Sequence, residues 1–461
     1  MPNLVRRILG KLKHQPLDAA SSDFDGASGI YAYRPLSDSG NIRLLTILMG
    51  EGPIYVSLTE ATINRSTYDA LSYTWDSPIQ QGDNSVTDKA ACFIYCNNNR
   101  HQVTENLYHA LLQFRADKRK GPLWIDAVCI NQGDSDERST QVGMMGKIYM
   151  KSGSVIIWLG KEDSETEKAI SLLTKFGNAV KNLGVEMESW TDFAFNSSQF
   201  YDLVGLEPFQ TRDWEIVFHF FARRWFSRLW VLQEVVLGRP TNFIIGHHAL
   251  DFGAVSLTVV FLYMSDWMPS LKAIMQDLTT NNLHDFLTGP RDIGPSLLYH
   301  AYLLESSKED GPEDKKYSRL MTLHGATNPY ERRYAYLADV ILLSQKFDAS
   351  DDRDRVFAPL SLASKFVPPK QRALNWITPD YKQSVTSVFT DVSSLLIKNL
   401  PLMSLLSMVE DSKERRLKEL PSWVPDFSCR KIGGSLTHKS DYDIYAFEED
   451  FEFPDGFDDR G

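Results

Sequence analysis

The sequence predicts an α/β fold: a parallel sheet with flanking helices, followed by a mainly helical C-terminal region. Three observations carry this. Apolar runs too short for a buried helix recur between Tyr68 and Gly238, and they alternate with stretches whose apolar residues repeat at helical spacing. Each change of period is marked by a capping residue or a Gly/Pro break. From about 250 to 430 the strand pattern stops and helical spacing takes over.

In order along the chain, Leu4, Val5, Ile8, Leu9 and Leu12 share one helical face opposite Arg6, Arg7, Lys11 and Lys13, a short basic amphipathic segment. Residues 14–29 are polar and read as a linker. Ala70 to Tyr73 and Ala91 to Cys96 read as strands. Thr104 caps a helix carrying Leu107, Ala110, Leu111 and Phe114. After Gly121 and Pro122, the run Leu123 to Ile130, interrupted only by Asp126, is expected to be a central parallel strand. Asp134 with Glu137 three residues on has the spacing of a capping box, and Val142, Met145, Ile148 and Tyr149 stripe the helix that follows. Val155 to Leu159 is a further strand, stopped by Gly160. Ser164 with Glu167 is the expected start of a helix bearing Ile170, Leu173 and Phe176. Residues 182–212 look like a less regular insertion. A helical segment from Trp225 through Glu234 ends at Gly238, and later amphipathic stretches lie at 333–347 and 383–400. The domain organisation expected is a segment and linker at 1–29, an α/β domain at 30–250 with core motifs at 68–238, a helical region at 251–430, and an acidic, disordered tail at 431–461.

Composition excludes several classes. The chain has 461 residues, 43% hydrophobic and 24% charged, as in globular proteins. The longest uncharged stretch, Phe252 to Ser265, is short of the roughly 20 apolar residues a bilayer crossing needs, and no secretory signal is read at the start. Four cysteines are too few for a disulfide framework and read as reduced thiols, so a cytoplasmic location is expected. His247 and His248 have no further ligand at metal spacing and read as a surface or strand-end pair; no metal is expected. Of the net charge of −11, nine acidic residues and one arginine in 441–461 account for −8. That leaves no concentrated basic surface for nucleic acid. Motifs for phosphate loops, dinucleotide binding, serine hydrolases and zinc proteases are absent.

Three segments stand out: Tyr68-Asp69-Ala70-Leu71-Ser72-Tyr73-Thr74-Trp75; Leu123-Trp124-Ile125-Asp126-Ala127-Val128-Cys129-Ile130-Asn131-Gln132, running on through Glu137-Arg138, Gln141-Val142, Met145, Ile148-Tyr149 and Trp158-Leu159-Gly160; and Arg224-Trp225-Phe226-Ser227-Arg228-Leu229-Trp230-Val231-Leu232-Gln233-Glu234. In order and spacing they resemble the signature blocks of the HET domain, the fungal heterokaryon incompatibility domain. Asp76 departs from the glycine usual in the first block. Tyr33 to Leu45, Asp352 to Ala358 and Pro421 to Ser428 resemble recurring features outside the core, so the likeness spans about 30–430.

The resemblance implies a part in fungal non-self recognition and programmed cell death, and a flavodoxin-like fold distantly related to the TIR domain. Some TIR domains cleave NAD with a glutamate just after a tryptophan on a helix. Trp230 and Glu234 stand four apart and would project from one helical face. The resemblance therefore implies Glu234 as catalytic carboxylate, with Ser72, Tyr73, Trp75, Asp126, Asn131, Gln132 and Trp230 around the substrate. NAD is then a substrate, no cofactor is needed, and the partner is a second copy or another signalling protein. The residues also admit plainer roles: Trp225 and Trp230 as core aromatics, Glu234 in a salt bridge with Arg228 or Arg138, Asn131 and Gln132 as loop formers, and Glu137 and Arg138 as a helix start. The alternative function is a non-enzymatic, self-associating adaptor.

Overall fold

A computed structural model describes residues 29–75, 77–78, 91–185, 187–277, 298, 329–345, 347–365, 377–400, 406, 408–411 and 413–429. The basic N-terminal segment, Asp76 and the acidic tail lie outside the described residues. The chain divides into two compact units, 1–300 and 301–461.

The first unit is built on one nine-stranded sheet: β1 (Asn41–Ile47), β2 (Tyr55–Thr62), β3 (Asp69–Tyr73), β4 (Cys92–Cys96), β5 (Asn99–Val103), β6 (Leu123–Trp124), β7 (Val155–Trp158), β8 (Pro240–Ile245) and β9 (His248–Asp251). Their spatial order is β5-β4-β2-β1-β6-β3-β7-β8-β9. The expected parallel sheet is its centre: β6, β3, β7 and β8 run parallel, with Ala70 opposite both Trp124 and Val155. The whole sheet is mixed, because β1 meets β2 and β6 antiparallel, and the hairpins β4–β5 and β8–β9 close the edges. Short turns at Asn97–Asn98 and Gly246–His247 make these edge pairs hairpins.

The helices of this unit are α1 (Glu105–Ala116), α2 (Asp126–Cys129), α3 (Ser135–Lys151), α4 (Thr166–Lys181), α5 (Ser198–Val204), α6 (Thr211–Phe221), α7 (Trp230–Leu237), α8 (Phe252–Met264) and α9 (Trp267–Asp277). Thr104 caps α1 through Leu107 N. Asp134 caps α3 through the N–H groups of Asp136 and Glu137. Two expectations need correction here. Leu123 to Ile130 is a strand only over Leu123–Trp124; the chain then turns into α2, with Cys129 N–H bonded back to Ile125 O at 2.7 Å. The α4 start is organised by Asp163, whose carboxylate accepts from Glu165 N and Thr166 Oγ1, rather than by Ser164.

Helix α8, expected in the C-terminal region, packs within the first unit against α4. The contact is so close that a Cβ on Gly177 would lie 2.1 Å from Ala254 O. The stretch 182–212 is more ordered than expected: a 3-10 turn at Met187–Asp192 and α5 place Phe200 against Phe176, Phe261 and Trp267, with ring centroids 4.7–5.5 Å apart. No single helix among the described residues is long and apolar enough to cross a membrane. Helices α8 and α9 are apolar because Val255, Val259, Phe261, Trp267 and Leu271 fill this core.

The second unit contains α10 (Pro329–Ser344), α11 (Asp354–Lys365) and α12 (Val385–Asn399), matching the helical spacing read there. Its two sequence blocks do structural work. Arg353 bonds Asp351 and the carbonyls of Tyr381 and Gln383. Arg415 holds the carbonyls of Leu420, Pro421, Ser422 and Val424, while Asp426 accepts from the N–H groups of Arg416 and Leu417.

Candidate functional site

Adjacent parallel strands deliver the first residues of the site. β3 presents Ser72 and Tyr73 at its carboxyl end, and Asp126 stands two residues beyond β6, at the start of α2. Such carboxyl ends are where open parallel sheets offer a crevice. From the other side, the 3-10 turn Arg224–Ser227 and α7 bring in Trp225, Arg228, Trp230 and Glu234, and α3 adds Tyr149.

These side chains form one connected network. Trp225 Nε1–H donates to Ser72 Oγ at 2.6 Å, and the Ser72 hydroxyl donates to Glu234 Oε2. Tyr149 makes a further hydrogen bond with the Glu234 carboxyl. Arg228 lies beside both Glu234 and Asp126 and donates to Tyr73 O. Trp75 Nε1–H donates to Asp126 Oδ2 at 3.0 Å, and the Tyr73 hydroxyl sits beside the same carboxylate. The network grades outward: Glu234, Ser72 and Trp225 are buried, Asp126, Arg228 and Trp230 half-buried, and Trp75 is 39% exposed.

Burial dominates the electrostatics. It pushes the Glu234 carboxyl from 4.5 up to about 7. Arg228 and the bonds from Ser72 and Tyr149 hold it back, and the Asp126 charge adds to the rise. Asp126 is also raised by burial, opposed by Arg228 and Trp75. The Tyr73 and Tyr149 phenols are raised well above their ordinary value by burial, with Asp126 and Glu234 respectively as the largest charges beside them. A carboxyl poised near neutral pH, one guanidinium and a second carboxylate can bind a hydroxylated cationic ligand, exchange a proton with it, or stabilise developing positive charge.

A profile of the family described as "Heterokaryon incompatibility protein (HET)" matches residues 68–234. Those bounds run from the strand carrying Ser72 to Glu234 itself. The chain carries a HET domain. It is similar to Heterokaryon incompatibility protein 6, OR allele, of Neurospora crassa: 24% identical over 453 residues, covering 90% of this chain and 62% of the relative. The chain thus spans less than two thirds of that protein's length. No solved structure matches it.

Within the HET domain, six of the eight residues singled out from the sequence fall in or beside the network. Ser72, Tyr73, Trp75, Asp126 and Glu234 are directly linked, and half-buried Trp230 opens the helix that carries Glu234. Trp225 packs its ring edge-on against Phe226 and Phe243, as a core aromatic does, while its N–H reaches Ser72. Gln132 and Asn131 act on the loop. Gln132 Nε2 donates to Asp126 O at 3.0 Å, and Asn131 Oδ1 accepts from Gly133 N while its own N–H donates to Glu137.

Glu137 completes half of a capping box only. Its carboxylate turns from the helix start to Arg43, at 2.5 and 2.9 Å, and to Asn131 N at 2.7 Å. Arg43 also donates to Cys129 O and Arg34 O. This buried bidentate pair fixes the α2–α3 connection next to Asp126. Sequence reasoning passed over Arg43, although an arginine between Ile42 and Leu44 in an apolar strand signals a buried partner. Arg228 and Tyr149 stood in the signature blocks, and only the fold shows that both address Glu234.

Proposed function

We propose that this chain is a HET-domain effector of fungal non-self recognition, acting in vegetative incompatibility and leading to programmed cell death through TIR-like cleavage of NAD by its HET domain. The observation that carries the reading is the Glu234 carboxyl, raised to about 7 by burial and held by Ser72 and Tyr149 beside Arg228 and Asp126.

In this reading NAD enters past the outer members of the network, Asp126, Arg228 and Trp75. The nicotinamide–ribose bond breaks with its electron pair leaving on nicotinamide, which departs as a neutral base. Positive charge builds on the ribose, as in glycoside cleavage, and the ionised Glu234 carboxylate stabilises it. Water adds to the ribose carbon and gives up its proton, leaving ADP-ribose. Ser72 and Tyr149 orient the carboxylate, and the Trp75 indole stacks on the nicotinamide.

Nicotinamide release from NAD by the purified full chain, at high protein concentration and beside Glu234→Gln, tests this. The variant is expected to lose about 100-fold or more in rate. No release by the native chain, or equal release by the variant, refutes the catalytic role. One observation favours a second reading: Glu234 is only 2% exposed and bonds protein groups, as befits a structural lock in a self-associating adaptor. Concentration-dependent assembly without turnover would select that reading.

A further inference from the structure

A second cluster of chemistry-bearing side chains lies apart from the Glu234 network, at the edge of the sheet where β8 and β9 meet. Ile245 pairs with His248, so Gly246 and His247 form the hairpin turn. The turn is pinned to the segment after β7 by two backbone bonds, Leu159 N–H to Ile244 O and Gly246 N–H to Gly160 O, each 2.9 Å. Gly246 has φ +55°, and a Cβ there would lie 3.1 Å from Glu162 Cβ and 3.2 Å from Glu162 N. Glycine therefore both forms the turn and lets Glu162 close onto it.

The result is a preorganised trio. Glu162 Oε2 lies 2.6 Å from His247 Nδ1 and 3.4 Å from His248 Nε2. The two imidazoles are 4.0 Å apart between centroids, tilted by 34°. One ligand atom from each of the three residues falls within 4.8 Å of the others. All three side chains keep solvent access, at 44%, 48% and 25% for Glu162, His247 and His248. The neighbouring cation, Lys161, pairs with Glu105 at 3.5 Å.

We propose that Glu162, His247 and His248 form a binding site for one divalent transition-metal ion of the zinc, cobalt or nickel class. Two imidazole nitrogens and one carboxylate oxygen suit these borderline ions, whereas calcium and magnesium demand mostly oxygen ligands. With metal–ligand lengths of about 2.0–2.1 Å, ligand atoms on a tetrahedral ion stand about 3.3 Å apart. The His248–Glu162 separation of 3.4 Å already matches this, and the His247–Glu162 pair needs to open from 2.6 Å by about 0.7 Å. Binding takes the imidazoles in their neutral form, so any proton shared between His247 and Glu162 passes to solvent. Water fills the remaining coordination position. The ion would staple the edge hairpin to the segment following β7.

The test is titration of the untagged, chelator-treated full chain with cobalt(II) chloride, read by visible d–d absorption and by calorimetry. One equivalent per chain is expected. The double variant His247→Ala/His248→Ala should abolish it, and Glu162→Gln, which keeps a hydrogen-bonding oxygen but removes the charge, should weaken it by about tenfold or more. Circular dichroism of each variant, expected to overlay the native spectrum, separates loss of ligand from loss of fold. Absence of saturable binding by the native chain, or native-like binding by the folded double variant or by Glu162→Gln, overturns the proposal.

Discussion

Substituting Glu234 by glutamine should change how stability depends on pH, because burial raises the proton affinity of the carboxyl. The carboxyl rises from 4.5 to about 7 on folding because it is buried among Trp225, Ser72 and Tyr149. Below about pH 4.5 the group is protonated in both folded and unfolded chains, and its contribution to stability is fully present. Between about 4.5 and 7 the unfolded chain ionises first and binds fewer protons, so stability falls as pH rises. Above about 7 both states are ionised, and the folded state has lost about 3 kcal/mol from this one group. Glutamine has nearly the same shape, keeps an oxygen to accept from Ser72, and does not titrate. Urea unfolding followed by tryptophan fluorescence at several pH values from about 4.5 to 8 gives the comparison. The native chain should weaken relative to Glu234→Gln by about 3 kcal/mol across that range. The other groups facing this carboxyl, Arg228 and Asp126, are common to both proteins and largely cancel. Parallel profiles for the two proteins would refute the claim that burial makes Glu234 a near-neutral acid. That result would remove the main physical support for its catalytic role.

Two further outcomes follow from the packing. Glu137→Ala leaves the Arg43 guanidinium, 4% exposed, without its bidentate partner; it should cost about 3–5 kcal/mol in urea unfolding, largely restored by adding Arg43→Met, and a loss below about 1 kcal/mol would show the pair to be dispensable. Gly177→Ala drives a methyl group into the Ala254 carbonyl; it should lower stability by about 1–3 kcal/mol or more, seen as a lower melting temperature, and an unchanged melting temperature would refute the tight α4–α8 crossing.

Much of the first unit was legible because its signals are local. Thr104 and Asp134 mark helix starts through bonds to N–H groups two or three residues on, and the apolar runs at β3 and β7 are buried on every or nearly every residue. The misreadings arose where a local pattern admits two answers. Leu123 to Ile130 is apolar enough for a strand, but Asp126 accepts its neighbour's N–H at 2.7 Å and the chain turns helical. The Asp134–Glu137 spacing suggests a closed capping box, but a buried guanidinium 94 residues away outbids the helix N–H for the carboxylate. The network around Glu234 was legible in part, since Ser72, Asp126 and Glu234 stand in recognisable blocks. That they meet depends on β3 lying between β6 and β7.

The amino-acid order alone determined the strands at β3 and β7, the helix starts at Thr104 and Asp134, the α/β character and the likeness to the HET family, because these depend on residues within a few positions of one another. Only the folded chain decided the mixed strand order, the Arg43–Glu137 pair, the proton affinity of Glu234 and the approach of Glu162 to His247 and His248. Each of these depends on distances between segments remote in sequence and on how much water the packing excludes. Neither quantity exists until the sheet has closed its register.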